Sequence, residues 1–177
     1  IPDGEQLYTG MKPTEYVDAD KSEHATSVRE ELDVVLATKP NGSLFGSPTL
    51  QSPLKIGLWI WNAFSQGTTS FDKWMVKAFG TQPVLMSYAN PDLHTTVGRN
   101  LLKKRGYFNS DISYSLVPQK NPKKMKLQYA VKMGQLWTID TLGYVGFTPG
   151  QDSLISAHTD EAMTRSGAPF DLSLIHI

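Results

Sequence analysis

The sequence predicts an α+β protein in which amphipathic helices are followed by an antiparallel strand pair. Three observations carry that expectation. Apolar residues recur at helical spacing in two separated stretches, SEHATSVREELDVVLATK and PDLHTTVGRNLLKKR. At Gly106 the pattern changes from the helical period to strict alternation. The alternation then resumes beyond the polar turn PQKNPKK, as in a hairpin with one wet face.

Taken in order, Leu7, Tyr8, Tyr16 and Val17 are scattered around Gly10 and Pro13, which suggests a short strand or hairpin. Asp20 or Ser22 can cap the first helix, whose stripe is Val28, Leu32, Val35 and Leu36. Pro40 and Asn41-Gly42 end it. Residues 40–57 are rich in Pro, Gly and Ser and read as a long loop, of the kind that marks an insertion. Two aromatic segments follow, LWIWNAF and FDKWMVKAFG, with Phe71, Trp74, Met75, Ala78 and Phe79 at helical spacing. After the short extended run QPVLMSY, Asn90-Pro91 starts the second long helix, with Leu93, Val97, Leu101 and Leu102 as its expected apolar face. Lys103, Lys104 and Arg105 suit the negative end of its dipole, and Gly106 suits a left-handed stop.

In the first expected strand Phe108, Ile112, Tyr114 and Leu116 face one way, and Asn109, Asp111, Ser113 and Ser115 the other. Met125, Leu127, Tyr129, Val131 and Met133 alternate with polar residues in its partner. Gly134 closes the hairpin. WTIDTLGYVGF is a further extended run, followed by a helix ending at Gly167 and the start of another at Asp171. A strand, a helix and the beginning of a second helix cannot cover a core. Residues 136–177 therefore read as a truncated second domain, with residues 1–135 forming the first and about 40–80 inserted in it.

Composition narrows the function classes. The chain has 177 residues, 40% hydrophobic and 19% charged, as in globular proteins rather than disordered ones. Seventeen basic and seventeen acidic side chains cancel, so any electrostatic role is local. Without cysteine there is no disulfide, thiolate nucleophile or thiolate zinc site. The longest apolar stretch, Ile56 to Phe64, is far too short to span a bilayer as a helix. The first residue is Ile and no leader pattern follows it, so the chain reads as processed or as a fragment.

No residue pattern favours catalysis. His24, His94, His158 and His176 are far apart and form no HExxH pair. There is no GxSxG elbow, GxGxxG turn or P-loop. Glu30-Glu31 and Asp160-Glu161 are adjacent in sequence and diverge on a helix. The lysines of PKKMK suit a solvated turn better than a nucleic-acid stripe. Asn41-Gly42-Ser43 matches a glycosylation sequon but reads first as a turn. The aromatics Trp59, Trp61, Phe64, Phe71, Trp74 and Phe79 are expected to pack over the helices, with Trp74 facing the sheet. Their alternative role, for Trp59, Trp61, Trp74 and Phe79 in particular, is a membrane or partner surface.

The ordered pieces RNLLKKRGYFNSDISYSL, KMKLQYAVKMGQ and WTIDTLGYVGF resemble the POTRA (polypeptide-transport-associated) domain. The YTG start, KPNGS and GLWIWNAF add a likeness to the amino-terminal region of BamA/TamA-type outer-membrane proteins, in a branch with an enlarged first POTRA domain. The resemblance implies a β-α-α-β-β unit with two helices on one face of a three-stranded mixed sheet. It implies a non-enzymatic periplasmic scaffold without cofactor, at the outer membrane. Its partners would be nascent outer-membrane proteins, assembly subunits, neighbouring POTRA domains and a barrel outside this chain. The docking element it implies is the edge strand Tyr107 to Val117, with Asn109, Asp111, Ser113 and Ser115 as its small outer residues. A proline at Ser113 is expected to weaken docking if that N–H faces the open edge. The competing readings are a cell-envelope enzyme with a cleft at the insertion and a membrane-surface module using the Trp/Phe segment.

Overall fold

In the computed structural model the described residues are 4–175 apart from Ala19, Leu44, Gly46, Gln51 and Met163. The order is β1 (Leu7–Met11), β2 (Glu15–Tyr16), α1 (Glu23–Leu36), α2 (Ile56–Phe64), α3 (Ser70–Phe79), α4 (Met86–Ala89), α5 (Pro91–Lys104), β3 (Asp111–Pro118), β4 (Lys124–Lys132), α6 (Pro149–Ala157) and α7 (Leu172–Ile175). A 3-10 turn covers Thr159–Glu161.

β4 is the middle strand. β1 and β2 lie along one side of it, both parallel, and behave as one strand broken around Pro13. β3 lies antiparallel on the other side, in continuous register from Asp111↔Lys132 to Pro118↔Met125. The sheet is therefore mixed and effectively three strands wide. α1 and α5 pack against each other, and their residues join the sheet's apolar face in one core. That core holds Tyr8 and Met11, then Val28, Leu32 and Leu36 of α1, Leu102 of α5, and Ile112, Leu127, Tyr129 and Val131 of the hairpin.

Ser22 supplies the cap of α1, its hydroxyl accepting from the Ala25 N–H at 3.2 Å. Asp20 supports that cap by accepting from the Ser22 N–H and hydroxyl. In α5 the buried face differs from the expected one. Pro91, Thr95, Gly98 and Leu102 point inward, while Leu93 and Val97 are 55% and 45% exposed. The reason is Gly98. A Cβ there would stand 2.8 Å from Ile112 Cδ1 and 3.0 Å from Leu32 Cδ1, so the bare backbone lets these side-chain ends come close, and a methyl would have to push them aside. Close packing along the small residues turns the leucine–valine stripe outward.

The insertion is a closed helical hairpin. α2 and α3 pack on each other, and the Thr81 N–H donates to the Gly57 carbonyl at 2.9 Å to join their feet. Any Cβ on Gly57 would fall 2.3 Å from Thr81 Oγ1. Asn41 ties the base down: its Nδ2 donates to the Gln82 carbonyl at 2.6 Å and its Oδ1 accepts from the Val84 N–H at 2.7 Å. The chain then runs along β1. The Tyr8 N–H donates to the Val84 carbonyl, the Met86 N–H to the Gln6 carbonyl, and Leu7 and Leu85 form an antiparallel bridge.

The expected strand Tyr107 to Val117 starts later, at Asp111. Gly106 takes φ +89° and the chain turns through Phe108 and Asn109 before extending. Phe108 packs on Trp137 and Phe170, with ring centroids 5.7 and 5.1 Å away, rather than on the helices. Among the described residues the run after Gly134 makes an isolated bridge, Thr138↔Pro169, in place of a strand, and the following helix stops at Ala157 rather than at Gly167. This segment docks at the Gly106 corner, where the Trp137 N–H donates to the Gly106 carbonyl and the Phe170 N–H to the Trp137 carbonyl, both at 2.9 Å.

Candidate functional site

The two edges of the sheet are unlike. Hydrogen bonds from residues 84–86 cover β1, whereas among the described residues β3 pairs with β4 alone. The orientation of each backbone group on β3 follows from the register. Leu127 and Val131 direct their carbonyls at the Lys12 and Val17 N–H groups on the β1/β2 side. Their antiparallel partners Leu116 and Ile112 therefore form non-hydrogen-bonded pairs with them, and so does Tyr114 with Tyr129. The backbone groups of Ile112, Tyr114 and Leu116 face away from β4, into the open. Two further contacts agree: Arg99 donates to the Ile112 carbonyl at 2.6 Å, and the Gln119 N–H to the Lys124 carbonyl at 3.2 Å.

The usable edge is consequently short. Arg99 occupies the Ile112 carbonyl while also pairing with Asp111 at 2.9 Å, and Pro118 has no N–H to offer. Between these stops lie the N–H and C=O groups of Tyr114 and Leu116. No described residue outside the ladder bonds to them. Beside the edge runs a shallow cavity of about 250 Å³, lined by Met86, Ser87, Asn90, Pro91, Asp92, Tyr114 and Leu116. A strand added to β3 would lower every second side chain into it. The Tyr114 hydroxyl donates to Asp92 at 2.9 Å across its wall, and this bond, aided by burial, raises the phenol above its ordinary value.

Asp111, Ser113 and Ser115 are exposed on the sheet face away from the helices. Asn109 is exposed too, but in the turn before the strand, with its carbonyl close to Gly134. The Ser113 N–H points at β4, because Ser113 pairs with Ala130 in the hydrogen-bonded set. A proline there breaks the hairpin itself rather than the open edge. The informative position is Leu116.

The aromatics of the insertion do not pack over α1 and α5. Trp59, Phe71, Trp74 and Phe79 are 69%, 59%, 55% and 56% exposed. Trp61 is half-buried. They pack on one another instead: Phe64 on Phe71, Phe71 on Trp74 and Trp74 on Phe79, at 6.1, 6.1 and 5.8 Å between centroids. The Phe64–Phe71 contact links the two helices, and Phe71, Trp74 and Phe79 stack along α3 while each stays more than half exposed. At the foot of α2, burial lowers the Lys55 ammonium from its ordinary value, and repulsion from Lys124 and Lys126 lowers it further.

The described histidines do not converge. His24 Nε2 contacts the Arg105 carbonyl at 3.1 Å, His94 Nδ1 the Val35 carbonyl at 2.6 Å, and His158 pairs with Glu161 at 3.4 Å. His176 lies outside the described residues. Among the described residues no group of three His, Cys, Asp or Glu side chains could hold a metal ion, and no helix is long and apolar enough to cross a membrane. The buried amide of Asn41, bonded on both sides, leaves no accessible acceptor for a glycan.

One charged cluster escaped the sequence reading. Arg105 makes a two-pronged bond to Glu31, at 2.7 and 3.1 Å, and a 2.6 Å bond to Asp171. These partners are distant in sequence and no local pattern announces them.

No family model matches the chain, and no curated protein matches it. Among solved structures, the crystal structure of Haemophilus influenzae BamA POTRA3-5 is similar to it at 14% identity with a TM-score of 0.31, covering 99% of this chain and 84% of that one. The fold class stands on the connectivity itself. It is α+β, POTRA-like in its β-α-α-β-β order.

Proposed function

We propose that this chain is a binding and scaffold module that takes an extended polypeptide segment onto the open edge of β3. The observation that supports this reading is the asymmetry of the sheet: one edge is covered, while the other presents the backbone groups of Tyr114 and Leu116 above a groove. Main-chain bonding supplies affinity without a strict sequence code, and the groove selects side-chain size at alternate positions. Asp111, Ser113 and Ser115 keep the outer face of the edge small, and Asn109 does the same at its entrance.

Following the resemblance of the sequence, the module works on the periplasmic side of the outer membrane, in a machine that assembles outer-membrane proteins. Its clients are nascent β-strands or partner subunits, and residues 136–177 open a second unit of the same kind. Its role is mechanical, and no cofactor enters it.

The test is a titration of the isotope-labelled chain with a soluble peptide copied from an amphipathic outer-membrane strand. The Tyr114 and Leu116 amides should shift and gain protection from exchange, while amides of β1 stay unchanged. Shifts confined to other surfaces, or none, would sink the edge reading.

A further inference from the structure

We infer that the α2–α3 hairpin and the lysines around its foot form a docking surface for an anionic lipid bilayer. α2 has no charged residue anywhere in IGLWIWNAF and Asn62 as its one polar side chain, yet only Ile60 is buried. The outward surface of the hairpin carries Ile56, Trp59, Phe71, Trp74 and Phe79. Three of the chain's four tryptophans lie within this hairpin. Such a concentration of bare aromatic surface exceeds the scattered apolar residues that ordinary surfaces show.

Charge selects the occupant. Lys73 and Lys77 lie one turn apart on α3, and Lys55 precedes α2. The only acid between Lys55 and Gly80 is Asp72, which is held in a capping box with Thr69. Folding brings a second basic group alongside: Lys124 and Lys126, from the far side of the chain, repel Lys55 through space. In a chain of zero formal net charge, the exposed Lys73 and Lys77 make the charge of this surface locally positive. Protein interfaces are depleted in lysine, whereas tryptophan beside lysine is the composition of helices lying at a lipid headgroup layer. At nine residues α2 is too short to cross, so it lies in the plane of the interface. The surface is separate from the β3 edge and does not depend on how that edge is used.

The experiment uses the whole chain with Trp137→Phe, so that the remaining tryptophans all report from the hairpin. It is mixed with vesicles of phosphatidylcholine alone, or of phosphatidylcholine with phosphatidylglycerol. The expected result is a blue-shifted emission and quenching by brominated lipid with the anionic vesicles, both weakened by salt. Lys73→Ala with Lys77→Ala should lower the affinity about fivefold per lysine. Trp59→Ala with Trp74→Ala should remove partitioning while the circular dichroism of the sheet domain persists. If a variant melts early, quenching of the parent still reads insertion without any change in the hairpin. No partitioning, or equal partitioning onto both vesicle types, overturns the inference. So does sedimentation showing that Trp59 and Trp74 are buried between two copies of the chain.

Discussion

A single missing side chain decides how α5 sits. Gly98 brings the helix within contact of Ile112 and Leu32, and the small residues Thr95 and Gly98 displace the leucines expected there. Gly98→Ala should be close to neutral, because the helix-propensity gain of about 1 kcal/mol offsets a clash with a movable Ile112 methyl. Gly98→Val has no such compensation and should cost about 2 kcal/mol in urea unfolding. Asn41 has the opposite character, a buried polar side chain with donor and acceptor both engaged. Asn41→Ala leaves the Gln82 carbonyl and Val84 N–H unpaired and should cost about 2 kcal/mol. The Tyr129 hydroxyl is buried without a partner among the described residues. Tyr129→Phe should therefore leave the melting temperature unchanged or raise it, and a marked fall would reveal a bond that the fold hides.

At the level of elements, the hairpin separates two uses of one strand. Odd-numbered β3 residues bond to β4, and the even-numbered Tyr114 and Leu116 face the open edge. Leu116→Pro should keep the fold, since the lost N–H makes no ladder bond, and should abolish capture of a strand peptide. Ser113→Pro should instead unfold the hairpin, losing about 3 kcal/mol or more in thermal melts. If both variants fold and bind equally, the assigned orientation of the backbone groups is wrong. The insertion is organised on another principle: a closed base and the packing of α2 on α3 let it project from the sheet domain instead of covering it.

Across the whole molecule, Arg105 joins α1 to the segment after Gly134 through Glu31 and Asp171. Burial alone would raise the Asp171 carboxyl, but hydrogen bonds from Ser173 and Arg105 outweigh it and hold the group below its ordinary value. A depressed carboxylate stabilises fully above its unfolded value, near pH 4, and the contribution disappears as the pH falls through the lower folded value. Docking of residues 137–175 on the Gly106 corner should thus weaken in acid. The Trp137 indole resonance, set edge-on to Phe108 across the docking contact, should report it. Asp171→Asn should flatten that dependence, and an unchanged titration would assign it to another group.

The sequence alone determined whatever depends on neighbours along the chain. The first helix start at Asp20 or Ser22, the second at Asn90, the stop at Gly106, the alternation through Ile112, Tyr114 and Leu116 and the α+β class were all legible, because caps and periodicity are local. Tertiary structure decided the rest. Which face of α5 is buried depends on the close approach of Gly98 to Ile112 and Leu32, residues distant from it in sequence. The choice of open edge depends on residues 84–86, which cover β1 from a distant segment. Which serine amides are free depends on pairing with β4. The aromatic segment was recognisable as helical, but its exposure, and the nearness of Lys124 and Lys126 to Lys55 at its foot, arise from contacts between remote parts of the chain, which no local pattern encodes.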